Sequence, residues 1–390
     1  MQHIIDTYHT FAEPAIKDRF FKHSALQPLL DVLPETFSVE TIGQSAEGRA
    51  QRLVIWGAGP LTVFLWSQMH GDEPTGTMVL FDLFRFLQSA RFQNEWQAIG
   101  RTCKLVIFPM VNPDGAERFT RRSAQAIDIN RDFLQTVTPE AALLRYIRDR
   151  FQPSFGFNLH DQSTLWSVAD FGKPASLSYL APADQADLSF GAVRTKAANI
   201  IAEIFDQVSP MLPGQIGLFD DSHEPRAFGD NFQKAGTSTI LIEAGGLEHD
   251  KDKQVLRRYF FLSILAGLKA IALGAADAGR LEDYLAIPKN SGTLLHIIIR
   301  EVRVNGLTTD IGLVYEERPN DQADGVTEYY FIKDIGDLSV YQAYEEFRSE
   351  QLSIDNPVAF EAPADFNLYD GSNIILSFQK GLRNKNFILS

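Results

Sequence analysis

One cysteine, Cys103, serves all 390 residues, so no intrachain disulfide can form. It sits in an apolar, strand-like run, CKLVIF, which fits a buried structural thiol rather than a reactive one. Basic residues are the minority: Lys and Arg total 36 against 50 Asp and Glu, a formal net charge of −14. Such a surface repels phosphate backbones and anionic lipid at long range, so nucleic acid is not an expected partner. No apolar run is long enough to span a bilayer. The opening stretch MQHIIDTYHTFAEPAIKDRFF shows no basic n-region, apolar h-region or small-residue cleavage site of a secretory signal. The expectation is a cytoplasmic protein with no membrane partner. Internal repeats, heptad runs, low-complexity tracts and Gly-rich phosphate loops are also missing.

What is present is a globular composition, 45% hydrophobic and 22% charged, with material for one or two cores. From about residue 50 to about 273, short β-rich apolar runs alternate with helical segments, which predicts an α/β domain with a mostly parallel, mixed sheet flanked by helices. The strand candidates are RLVIWG (52–57), LTVFLWSQ (61–68), CKLVIFPMV (103–111), FGFNLH (155–160) and TSTILIEAGG (237–246). Thr138 and Pro139 supply an N-cap and first position for a helix, TPEAALLRYIRDRF, and KQVLRRYFFLSILAGLKAIAL forms a long apolar-faced one. After Gly274 the chain turns small, polar and turn-rich, then breaks into short β-like pieces such as LLHIIIREVRV, TEYYFI and NIILSFQK. The expected organisation is a domain over 1–274, a linker over 275–287 and a small β-rich C-terminal domain over 288–390.

The chemistry gathers where strands hand over to helices. In SQMHGDEPTG, His70 and Glu73 stand three apart at the end of a predicted strand, in a turn shaped by Gly71 and Pro74. Open α/β sheets hold ligands at that junction, and His-x-x-Glu offers a metal two donors from one turn. His160 ends FGFNLH in the same relation to its own strand. Two imidazoles and a carboxylate leave the fourth position of tetrahedral zinc open, the catalytic arrangement. Between the two segments lie Asn112-Pro113-Asp114-Gly115, then Arg121 and Arg122, then Asp128-Ile129-Asn130-Arg131; later, Glu243 ends the strand of IEAGG. An acidic residue has no structural task there.

In that order (IGQSAEGRA, HGDE, NPDG, an arginine before DINR, a strand ending in His, a strand ending in Glu) the chain resembles the M14 zinc carboxypeptidase family over roughly residues 40–250. The resemblance implies the zinc carboxypeptidase-like fold and one zinc ion on His70, Glu73 and His160, with Asp128 orienting His70. It further implies Glu243 as general base, Arg121 (with Arg122 as the fallback) holding the oxyanion, and Asn130 and Arg131 gripping the substrate's terminal carboxylate. The substrate implied is a peptide cut at an amide next to a free carboxylate.

Two departures stand out. Digestive members carry an arginine between the His and Glu ligands, where this chain has Asp72. They also carry a substrate-capping tyrosine before the catalytic Glu, whereas no Tyr occurs here between Tyr179 and Tyr259. The corresponding loop, GLFDDSHEPRAFGDNFQKAG, offers His223 and Arg226 as substrate-binding substitutes. Two alternatives stay open: a deacylase of N-acyl amino acids, similar to aspartoacylases and succinylglutamate desuccinylases, and a non-catalytic carboxylate-binding module. Oligomeric state is not legible.

Overall fold

In the computed structural model, which describes residues 1–169 and 172–384, the central strands sort their side chains by parity. The main sheet has eight strands: β1 (Phe37–Gln44), β2 (Ala50–Trp56), β3 (Leu61–Ser67), β4 (Cys103–Phe108), β5 (Phe155–Asp161), β6 (Leu177–Leu180), β7 (Ile216–Leu218) and β8 (Ser238–Ala244). Val63, Leu65, Leu105 and Ile107 face one apolar cluster with the helices Thr75–Phe86, Ala192–Val208 and Leu256–Ala272. Phe64, Trp66, Val106 and Phe108 face a second cluster with Leu144, Ile147, Phe228 and Phe232. A strand buried on both faces reads as a continuous apolar run, which is why these segments were legible.

The strand order is β1-β2-β4-β3-β5-β8-β6-β7. β3 is parallel to β4 on one side and to β5 on the other, and β8 is parallel to β5. The β1–β2, β2–β4 and β6–β8 pairs are antiparallel, so the sheet is mixed, as expected. The chain runs from β3 to β4 on one flank and then crosses to β5 on the other. This leaves the crevice at the C-terminal ends of β3 and β5, the switch point where open α/β sheets bind ligands. Thr138 caps the helix Pro139–Phe151 by accepting from the Ala141 amide at 3.2 Å.

The chain folds as two units, Met1–Thr164 with Ala175–Asn290, and Leu165–Pro174 with the residues from Ser291 onward. Residues 275–287, expected as a linker, instead carry the short helices Ala275–Asp277 and Leu281–Leu285 within the first unit. Tyr284 explains this: its ring is buried against Phe190, and its hydroxyl accepts from the Ala181 amide at 3.2 Å. The edge at Asn290 rather than 288 follows from Leu218, which donates its amide to Pro288 and bridges to Lys289. In the second unit, the strand Leu294–Val304 pairs antiparallel with Leu307–Pro319 and parallel with Ser353 of Leu352–Ile354. The sheet therefore closes on itself around Ile297, Ile299, Ile311, Leu368 and Phe378. Closure removes the edges that a small open sheet would expose. Among the described residues, no helix is long and apolar enough to cross a membrane.

Candidate metal centre

β3 stops at Ser67 because Gln68 takes a left-handed conformation (φ 53°) and folds its side chain onto the Gly71 carbonyl at 2.9 Å. The Glu73 amide donates back to the His70 carbonyl at 3.1 Å, closing the turn before the helix Thr75–Phe86. Glycine is required at position 71: a Cβ there would lie 2.1 Å from the carbonyl carbon of Gly115. The turn thus rests on the short helix Pro113–Arg118, which Asn112 caps by accepting from the Gly115 amide at 2.9 Å. Asp114 in turn accepts from the Ser45 hydroxyl (2.7 Å), the Glu47 amide (2.9 Å) and Arg49 (2.7 Å). The EGR and NPDG segments are therefore one brace beneath HGDE.

His70, Glu73 and His160 are buried, and one donor atom from each lies within 4.8 Å of the others. His70 Nδ1 stands 2.8 Å from Glu73 Oε1, and His160 Nδ1 stands 2.7 Å from Oε2 of the same carboxylate. The other nitrogen of His70, Nε2, lies 3.1 Å from Asp128 Oδ1. With its Nε2 proton directed at Asp128, the neutral His70 ring presents Nδ1 as the nitrogen able to ligate a metal. Donor chemistry and spacing fit a divalent ion of the zinc type. Burial raises the Glu73 carboxyl, but the charges and hydrogen bonds of His70 and His160 outweigh it and hold the group well below the usual range. Burial lowers His160, which favours the neutral imidazole a metal requires. His160 Nε2 has no partner among the described residues, so only one ligand histidine carries an outer carboxylate.

Glu243 is paired in register with His160 across β5 and β8, and is buried on the same face. Burial and the nearby charges of Glu73 and Asp161 push its carboxyl well above the usual range, opposed by Lys253 and Arg121. Asp161, next to His160, donates its amide to Glu73 at 3.1 Å. Its carboxylate receives Lys253 Nζ (3.0 Å) and the Thr75 hydroxyl (2.8 Å), and Lys253 also donates to the Ala244 carbonyl (3.0 Å). One ammonium thereby clips the ends of β5 and β8 together.

Arg121 reaches the same centre, with Nη1 3.0 Å from Glu73 and 3.1 Å from His70 Nδ1, and Nε 3.2 Å from Asp128. Arg122 turns away to the surface and donates to the Ala126 carbonyl at 3.0 Å, closing its own loop. Asn130 and Arg131 lie on the 3-10 turn Ile129–Arg131, capped by Asp128. Asn130 Oδ1 accepts from the Phe228 amide at 3.0 Å, and Arg131 Nε stands 3.1 Å from Glu224. Arg226 forks onto that same Glu224 carboxylate at 2.9 and 2.8 Å. His223 is spent on the Ala183 carbonyl (3.1 Å), 40 positions back in the chain, and on Asp230 (3.2 Å) of the helix Phe228–Lys234.

The family model described as zinc carboxypeptidase, Peptidase_M14, matches residues 23–185. That match covers less than half of the chain and is a likeness of those residues to the zinc carboxypeptidase family. A metallo-carboxypeptidase from Burkholderia cenocepacia superposes with a TM-score of 0.53 at 17% identity, covering 66% of this chain and 70% of that one. Bovine thrombin-activatable fibrinolysis inhibitor, in complex with tick carboxypeptidase inhibitor, gives 0.52 at 11% identity over 68% and 99% of the two chains. These two likenesses establish the carboxypeptidase fold. Probable carboxypeptidase 2 of Trichophyton verrucosum is 27% identical over 124 residues, 32% of this chain. That match spans only 23% of the relative's own length.

The family match contains His70, Glu73, Arg121, Asp128, Asn130, Arg131 and His160 but ends before Glu243, whose place rests on the strand register alone. Asp72, where digestive zinc carboxypeptidases resembling this chain carry arginine, is half-buried; burial and the charge of Glu73 push it up to about 6. Sequence alone does not single out Lys253, Asp161 or Glu224. Lys253 and Asp161 lie 92 positions apart and only the sheet joins them. Glu224 had a local signal, an acid between His223 and Arg226.

Proposed function

We propose that the protein is a zinc-dependent metallocarboxypeptidase-like hydrolase that cleaves an amide next to a free carboxylate. The observation that supports this reading is the strand register that pairs Glu243 with His160 of the His70, Glu73 and His160 cluster. Zinc, when bound, supplies a Lewis acid that polarises a carbonyl and acidifies water. Glu243 takes the proton of the attacking water and hands it to the departing amine. Arg121, with its guanidinium at the cluster's edge, donates to the oxygen on which negative charge develops. Asp128 fixes the His70 ring through Nε2. Asn130 and Arg131, one turn beyond Asp128, hold the terminal carboxylate of the substrate.

The test is Glu243→Gln. The variant is expected to retain one zinc per chain and to lose roughly 10²–10⁴-fold in kcat, the range of positioned acid–base groups. Hydrolysis that survives full chelation, or a Glu243→Gln enzyme of undiminished kcat, overturns the reading. A second reading, deacylation of N-acyl amino acids, draws on Asp72 and on the separate β-barrel unit. Side-by-side turnover of short peptides and N-acyl amino acids separates the two, and binding without turnover of either marks a non-catalytic module.

A further inference from the structure

The inference drawn here rests on the reading of Asn130 and Arg131 as the carboxylate anchor, and concerns what already sits on it. Arg131 gives Nη1 to the Asn130 carbonyl at 2.9 Å and keeps Nε 3.1 Å from Glu224 Oε2. Glu224 belongs to the loop between β7 and the helix Phe228–Lys234, and that loop is tied to the anchor segment by backbone. The Phe228 amide donates to Asn130 Oδ1, and the Phe133 amide donates to the Arg226 carbonyl at 3.3 Å. Glu224 is itself held, its amide on Asp230 Oδ1 at 3.0 Å and its carbonyl accepting from Ala227 at 2.9 Å. Its carboxylate therefore has little choice of place. It projects to Arg131 and Arg226 together.

We infer that Glu224 is a resident counter-anion on Arg131, which the substrate's terminal carboxylate must displace, and that it thereby sets the enzyme's affinity for free carboxylates. Three features support an exchange rather than a permanent clasp. Arg226 grips Glu224 through two nitrogens, so leaving Arg131 costs Glu224 one guanidinium partner and not both. Two guanidiniums share the one Glu224 carboxylate, while Asp128, whose charge both feel, is already bonded by Arg121 and His70. Arg131 is about a third exposed, within reach of solvent. The hydrogen bonds of Arg226 hold the Glu224 carboxyl down at about 2, so protonation near neutral pH does not vacate the anchor and only a competing anion does. The consequence is selectivity: a substrate must bring a full carboxylate, because an amide cannot repay the displaced ion pair.

The test titrates the zinc-loaded full chain with N-acetylleucine, N-acetylphenylalanine, N-acetyllysine and N-acetylglutamate, and with the matching amides, by calorimetry. Gln at 224 keeps an oxygen for the Arg226 amide, so the loop retains its turn. Glu224→Gln is expected to tighten carboxylate binding about fivefold, the scale of a partly exposed ion pair, and to leave the amides unmoved. With substrate, the gain falls on KM rather than kcat. Arg226→Ala, an exposed change, is expected to weaken carboxylate binding, since Glu224 then has Arg131 alone. If Arg131→Ala loses the preference for acid over amide while Glu224→Gln gains nothing, the counter-anion is overturned and the anchor stands. If Arg131→Ala keeps that preference, the anchor reading falls and the counter-anion with it.

Discussion

At the scale of single residues, the decisive feature is the second nitrogen of His70. Asp128 holds Nε2 at 3.1 Å, and the charge and hydrogen bond of His70 keep that carboxyl below its usual range despite burial. Asp128→Asn is therefore expected to lower zinc affinity by about 10–100-fold, read by competition with a chelator of known affinity. Retained affinity counts against the orienting role. Cys103 gives a test by pH. Burial pushes its thiol up to about 11, while the unfolded thiol titrates near about 8.5. A raised folded value means this group's contribution is intact below about 8.5 and is lost as the pH climbs towards 11. Alkylation of the native protein at pH 8 is expected to be negligible and to become complete on unfolding; rapid native labelling would contradict the burial. The ligand residues were legible because His and Glu at strand ends cannot serve an apolar core. Lys253 was not, because its partner Asp161 meets it only through the pairing of β5 with β8.

At the scale of elements, the helix Thr75–Phe86 links the centre to the rest of the first unit. Its N-terminus follows Glu73, and its Asp82 is buried in a two-pronged pair with Arg257 of Leu256–Ala272, at 2.7 and 2.6 Å. Tyr8 and the Glu13 amide also bond Asp82, so the N-terminal segment closes on the same carboxylate. Removing one partner leaves a buried charge uncompensated. Asp82→Ala is expected to cost about 3–5 kcal/mol, measured by urea unfolding followed by circular dichroism, and a loss below 1 kcal/mol would show the network relaxing into water. Strand existence was readable from apolar runs and helix starts from Thr138-Pro139, since both are local properties. The order of strands was not, because each buried strand has the same apolar face on both sides and nothing local says which neighbour it takes.

At the scale of the whole molecule, both proposed ligand segments and Glu243 belong to the first unit, and the barrel has an apolar core of its own. Zinc held at the proposed centre would stabilise the folded first unit by mass action. Calorimetry is expected to show two transitions, of which chelation lowers only one; a single transition, or two that shift together, would show the units unfolding as one. The β-rich character of the C-terminal part was legible, but its closure was not. Closure depends on the parallel pairing of Arg303 with Ser353, half a hundred positions away.

Local chemistry, then, was written along the chain: which side chains can ligate, where strands and helices start, and that the C-terminal part is β-rich. Periodicity and residue type act between near neighbours, and for these the order of residues is enough. Tertiary structure alone decided that Arg122 leaves the centre, that Lys253 clips β5 to β8, and that Glu224 meets Arg131. The last two depend on distant backbones brought within hydrogen-bond reach by the sheet and its loops, a distance the sequence does not contain.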